Sequence, residues 1–139
     1  MADVDFFKLY NHSNGHPAGD ACLKSLANVI DGCCERPTDI VGRFGGEEFV
    51  LILPGTNNKG ALMIAQAIQQ PLIEKNIPYG PQNTNPVSLT MGIVSARGNT
   101  IDNIEMLIKE ADVALYEVKE QGRNCVVSKV FSCSRRISA

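Results

Sequence analysis

The chain has 139 residues, 44% hydrophobic and 20% charged, with a formal net charge of −2. One domain of this length buries most of its apolar surface, and the composition excludes disordered and fibrous classes. The slight acidity argues against a broadly basic nucleic-acid surface, so any phosphate recognition must rest on a few placed cations.

The segment Asp3-Val4-Asp5-Phe6-Phe7-Lys8 has the pattern of a strand end running into a loop, with both acids on one side of the extended backbone. Two such acids, near the later pair Glu47-Glu48, would supply oxygens of the kind Mg²⁺ prefers. A strand is ordinarily about five or six residues. With two residues before Asp3, the expectation is a strand that has lost its first half, or a chain cut inside a larger domain. The first helix is expected from about Pro17–Gly19, on the stripe Leu23, Leu26, Ala27 and Ile30, ending at Glu35-Arg36-Pro37. A hairpin follows, roughly 39–44 and 48–53, closed by Pro54-Gly55. Thr56 is expected to cap a second helix carrying Leu62, Ile64, Ala65 and Ile68, interrupted at Pro71.

Asn76 to Pro86 has the composition of a loop or short edge hairpin, and Val87 to Val94 alternates as a strand. Thr100 is expected to cap a third helix with the seam Ile101, Ile104, Ile108, Ala111, Leu115 and Val118. Gly122 is placed as its C-terminal cap, before a last strand from Cys125. This order is expected to make an α+β or α/β layered domain over 1–131, with 132–139 expected as a disordered tail. No apolar run approaches the ~20 residues of a membrane span, and no signal peptide precedes the first motif. The odd count of five cysteines, with no C-x-x-C pair, implies reduced thiols, a cytoplasmic setting and no structural zinc.

The sharpest local feature is Gly45-Gly46-Glu47-Glu48-Phe49 between two β-prone runs. Gly-Gly suits a tight hairpin turn, which needs positive φ. Two carboxylates beside it suit a nucleotide phosphate bridged by a hard divalent cation. His12 and His16, though i, i+4, fall in a loop-like stretch and are not expected to ligate metal.

Asp3-Val4-Asp5-Phe6-Phe7-Lys8, Asn11, Gly15-His16-x-x-Gly19-Asp20, Arg43-Phe44-Gly45-Gly46-Glu47-Glu48-Phe49 and Ala111-Asp112-x-Ala114-Leu115-Tyr116-x-x-Lys119-x-x-Gly122-Arg123-Asn124 together resemble the GGDEF domain of bacterial diguanylate cyclases, from residue 3 to about 128. That resemblance implies a palm-like βαββαβ core with a central, mainly antiparallel sheet, here without its first helix and half its first strand. It implies condensation of two GTP into cyclic di-GMP and two pyrophosphates by a homodimer using Mg²⁺, or Mn²⁺ in its place. Asp3, the Val4 carbonyl and Glu47 would hold metal. Glu48 would aid deprotonation or hold a second metal, and with Glu47 and Lys8 complete the catalytic set. Phe6 and Phe7 would offer backbone N–H groups to phosphates beside Gly45 and Gly46, with Lys8, Lys119 and Arg123 supplying positive charge. Asn11 and Asp20 would bind guanine. Arg36 and Asp39 resemble the family's R-x-x-D product-inhibition site. The chain lacks the family's upstream helix and turn, so an upstream sensor or dimerisation module is expected, with little or no activity from this segment alone. The alternative is a non-catalytic GTP or cyclic di-GMP binding module.

Overall fold

The computed structural model describes residues 1–98 and 103–131. In chain order these form β1 (Ala2–Val4), α1 (Phe7–Asn14), α2 (His16–Cys33), β2 (Ile40–Gly45), β3 (Glu48–Ile52), α3 (Asn58–Lys75), β4 (Pro78–Gly80), β5 (Asn83–Pro86), β6 (Leu89–Ala96), α4 (Ile104–Glu120) and β7 (Val126–Phe131). The main sheet runs β2-β3-β1-β6-β7, and β4-β5 form a separate hairpin. Every neighbouring pair is antiparallel except β6 and β7, which α4 joins as a parallel crossover unit. The mainly antiparallel central sheet implied by the family resemblance is present.

Register sorts the side chains of the central strand. Ala2 lies opposite Phe49 and Met91, and these share a face with Val4 and Leu89. They join Phe7, Leu26, Ile30 and Ile68 from three helices in the main core. Asp3 lies opposite Glu48 and Thr90 and therefore points the other way. On that face Gly92 of β6 meets the backbone of α4. The polar side of β1 thus sits beside the end of α4.

Four local expectations change. Residues 7–14, expected as loop, form α1: Phe7 and Tyr10, three apart, are buried with their rings stacked 6.1 Å between centroids. The helix expected to break at Pro71 runs through it. Proline removes the N–H that would bond the carbonyl four residues back, and the Cys33 thiol meets that carbonyl, Ala67 O, at 3.5 Å. The cap of α3 is Asn57, accepting from Gly60 N at 2.9 Å, not Thr56. Asn103 caps the described part of the third expected helix, accepting from Met106 N. Thr100 and Ile101 fall outside the described residues, as do 132–139. The C-cap of α4 is Gln121, and Gly122, Arg123 and Asn124 then follow with positive φ. Among the described residues no helix is long and apolar enough to cross a membrane, and Cys22, Cys33, Cys34 and Cys125 are free thiols.

Candidate active site

The end of β1 collects charge. Asp3 is 7% exposed, and Lys119 from α4 places Nζ 2.9 Å from its Oδ2. Glu48 is Asp3's cross-strand partner, while the Glu47 carbonyl in the hairpin turn accepts from Val4 N at 3.2 Å. The hairpin acids are therefore tied to the central strand by backbone, not by side-chain rotamers alone. Burial pushes the Asp3 carboxyl above its ordinary 3.8; Lys119 opposes this, and the charges of Glu47 and Asp5 add to it. Glu48 is also raised, first by burial and then by Asp3's charge, with Lys119 again opposing.

The hairpin divides the work of its two glycines. Gly46 has φ +51, a left-handed conformation that a side chain would strain. Its carbonyl accepts from Arg43 Nε at 2.7 Å, which braces the turn. Gly45, expected to share the positive φ, does not have it. An added Cβ at either position meets nothing within 4 Å, so the turn faces open space beside the acids.

A second group lies on α1 and α2. Phe6 precedes α1 with φ +51, and no side chain caps that helix, leaving its first N–H groups without a side-chain acceptor. Lys8 is exposed in the first turn. Asn11 Oδ1 is buried without a hydrogen-bond partner. A Cβ on Gly19 would lie 1.8 Å from that oxygen, so only glycine lets Asn11 settle over α2. Asp20, next along, is exposed and lines a cleft of about 540 Å³ with Leu23, Lys24, Arg43 and Phe49.

Asp5 differs from the sequence-based expectation. Its carboxylate is 1% exposed and accepts from Ser88 Oγ, Thr90 Oγ1 and the Asn124 backbone N–H. It is a satisfied internal acceptor, not a second carboxylate open to a cation. The signal in the sequence is Ser88-x-Thr90, two hydroxyls on one side of an otherwise apolar strand. Arg123 stands with its guanidinium carbon 4.8 Å from the centroid of the Phe6 ring.

Arg36 and Asp39 lie apart from these groups. Arg36 Nη2 is 2.5 Å from Asp39 Oδ1 and Nε is 3.2 Å from Oδ2, a forked pair that holds the Asp39 carboxyl below its ordinary value. The same guanidinium donates to Thr56 Oγ1, the role Thr56 has in place of helix capping. His12 and His16 are exposed, and among the described residues no three His, Cys, Asp or Glu side chains converge as a metal cage.

An antiparallel sheet whose central strand ends in an acid, faced by a lysine and flanked by a Gly-Gly-Glu-Glu turn, has the layout of a palm-like nucleotide-enzyme domain. The model of the family described as "Diguanylate cyclase, GGDEF domain" matches residues 1–125, and the chain belongs to that family. Diguanylate cyclase A of Treponema denticola is 39% identical over 126 residues, covering 91% of this chain and 33% of that protein. The active GGEEF domain of a diguanylate cyclase from Vibrio cholerae superimposes with a TM-score of 0.80 at 33% identity, over 94% of this chain and 81% of that one. The GGDEF domain of DgcB from Caulobacter crescentus, solved with cyclic di-GMP, gives 0.81 at 26% identity, over 91% and 74%. The chain spans about a third of the length of the curated relatives it matches.

Proposed function

We propose that residues 1–131 act as a diguanylate cyclase domain that joins two GTP molecules, one held by each of two copies facing across a two-fold axis. The observation that carries this reading is the desolvated Asp3, paired to Lys119 and set against Glu47 and Glu48 beside an open glycine turn. The N–H groups of Phe6 and Phe7 at the start of α1, where no side chain caps the helix, would donate to phosphate oxygens, with Lys8, Lys119 and Arg123 balancing their charge. Asn11 would hydrogen-bond guanine, and Asp20 would accept from the N1 and N2 hydrogens. Gly45 and Gly46 would leave room for the substrate backbone.

The residues suit a divalent cation. Asp3, Glu47 and the Val4 carbonyl are hard oxygen donors, and Mg²⁺ commonly uses one or two carboxylates with substrate phosphates completing its shell. Such a site needs no three-acid cage. When bound there, Mg²⁺ (or Mn²⁺) would neutralise charge on the α-phosphate and acidify the attacking hydroxyl.

In each half-reaction the 3′-oxygen of one GTP bonds to the α-phosphorus of the other. The bond from that phosphorus to the β-phosphate oxygen breaks, and pyrophosphate leaves. Glu48, its carboxyl raised by burial, would take the 3′-hydroxyl proton. Holding two nucleotides in register is the dimer's main entropic contribution.

Incubation with GTP and Mg²⁺, followed by mass spectrometry, tests this. Linear and cyclic dinucleotide are expected from the chain extended upstream, with little or none from this segment alone, and Glu47→Gln should lower their formation about a thousandfold. GTP bound but never condensed, by this chain and by one extended upstream, would favour the binding-module reading instead. The upstream extension would also reveal whether a sensor or dimerisation segment governs the rate.

The Arg36–Asp39 fork is proposed to bind product, with Arg36 turning from Asp39 to a phosphate or to guanine O6 and N7. Arg36→Ala is expected to raise the cyclic di-GMP concentration needed for half-inhibition at least about tenfold while turnover persists. Inhibition curves that superimpose with and without the guanidinium would remove this assignment.

A further inference from the structure

Asp5 joins two turns that are 119 residues apart in sequence. Its Oδ2 accepts from Asn124 N at 3.0 Å and Ser88 Oγ at 2.6 Å; its Oδ1 accepts from Thr90 Oγ1 at 2.6 Å. Thr90 Oγ1 also receives the Asn124 N–H at 3.0 Å. One residue along each strand of this contact, Arg123 stands over Phe6. The Phe6 ring in turn meets Tyr79 edge-on at 6.3 Å, and the Tyr79 hydroxyl donates to the Asp5 carbonyl.

The backbone around this contact is unusual. Among the described residues four non-glycines have positive φ: Phe6, Asn76, Arg123 and Asn124. Three of them flank Asp5's contacts. Left-handed non-glycine residues are held only where their surroundings over-determine them, and such residues cluster at binding sites. Among the described residues Arg123 forms no ion pair with a carboxylate. Gly122 N and Arg123 N bond back to Lys119 O and Val118 O of α4, while the next N–H, that of Asn124, is held by Asp5 and Thr90.

We propose that Asp5 is a positioning residue: its buried carboxylate clamps the Arg123–Asn124 turn to the Phe6–Phe7 turn and thereby sets where the Arg123 guanidinium meets a nucleotide triphosphate. This rests on the assignment of Arg123 to GTP under the proposed function. The carboxylate itself touches no substrate. A carboxylate suits the place because all three neighbours donate, and an asparagine there still offers one oxygen to the Asn124 N–H.

The test is a double-mutant cycle on the full chain, read by calorimetry as the Kd for a GTP analogue with a methylene group between the α- and β-phosphorus, in Mg²⁺. Arg123→Ala is expected to weaken binding about tenfold, as loss of a charge-assisted contact does. Asp5→Ala should also weaken it about tenfold in the parent but less than about twofold in the Arg123→Ala background, the mark of coupled residues. Asp5→Asn should stay within about threefold of the parent. Equal losses from Asp5→Ala with and without Arg123, or an Asp5→Asn chain as impaired as Asp5→Ala, would overturn the clamp. An Arg123→Ala chain that binds as the parent does removes the assignment of Arg123 itself, and the clamp's function with it. If circular dichroism shows Asp5→Ala unfolded, Thr90→Val takes its place in the cycle. It loses the oxygen shared by Asp5 and Asn124, and an about threefold loss confined to the Arg123-containing background is then expected.

Discussion

Asp3→Asn is expected to abolish dinucleotide formation and, in the same chain, to make the fold more stable. The first effect follows from the metal role proposed for Asp3: losing such a carboxylate would cost several kcal/mol at the transition state, about a thousandfold or more in rate. The second follows from the carboxyl's surroundings. Burial raises its folded-state pKa above the ordinary 3.8, with Glu47 and Asp5 adding to the shift against Lys119. In the window between 3.8 and the raised value the folded chain binds more protons than the unfolded one, so stability falls as pH rises through it. At neutral pH the whole penalty is in force. Asparagine removes it, so the variant is expected to be more stable than the parent. Lys119, 26% exposed at its side chain, keeps the neighbouring charge of Glu48 once the pair is lost. Urea denaturation at pH 7 should show the variant more stable, and the advantage should vanish below the unfolded carboxylate's pKa. Mg²⁺ should stabilise the parent by mass action and leave the variant unchanged. A variant less stable than the parent at pH 7 would show that the Asp3–Lys119 pair is a structural bond, not a desolvated acid awaiting a cation.

How far the sequence carried this picture depends on the range of each contact. The Gly-Gly hairpin was legible because its turn chemistry and flanking alternation are local. The helices α2 and α4 announced themselves through apolar stripes at helical spacing. Helix α1 did not, because eight residues with two buried aromatics make too short a stripe; its stability comes from Phe7 and Tyr10 packing in the core. Pro71 looked like a helix end because the repair, a cysteine thiol on the freed carbonyl, comes from another helix. Asp5 was misjudged for the same reason. Alternation correctly sets Asp3 and Asp5 on one side of the strand, but the donors that claim Asp5 lie 83 to 119 residues away. The partnerless oxygen of Asn11 was equally hidden, since it depends on α1 folding over Gly19.

Gly92→Ala is expected to be strongly destabilising, because among the described glycines it is the one whose added Cβ collides with backbone. A Cβ at Gly92 would lie 2.4 Å from Leu115 N, 2.8 Å from Leu115 Cα and 2.9 Å from Ala111 O. All three are backbone atoms, so no rotamer change relieves the clash; either β6 or α4 must move. Overpacking ordinarily costs about 1–3 kcal/mol, and a collision with backbone belongs at or above the top of that range. For a domain of this length, about 3 kcal/mol lowers the melting temperature by roughly 10 °C. Activity should fall further than stability does. Helix α4 carries Lys119, whose ammonium reaches Asp3 only because the helix lies close on β6, and lifting the helix withdraws that cation from the acidic end of β1. Turnover measured well below the melting transition should therefore drop in Gly92→Ala, while Gly32→Ala serves as the contrast. Gly32 lies near the end of α2 with nothing within 4 Å of an added Cβ, and alanine there should stabilise by about 0.5–1 kcal/mol with turnover unchanged. A Gly92→Ala chain that melts with the parent and turns over at its rate would mean that the sheet and α4 part easily, and that Lys119 does not depend on their close approach.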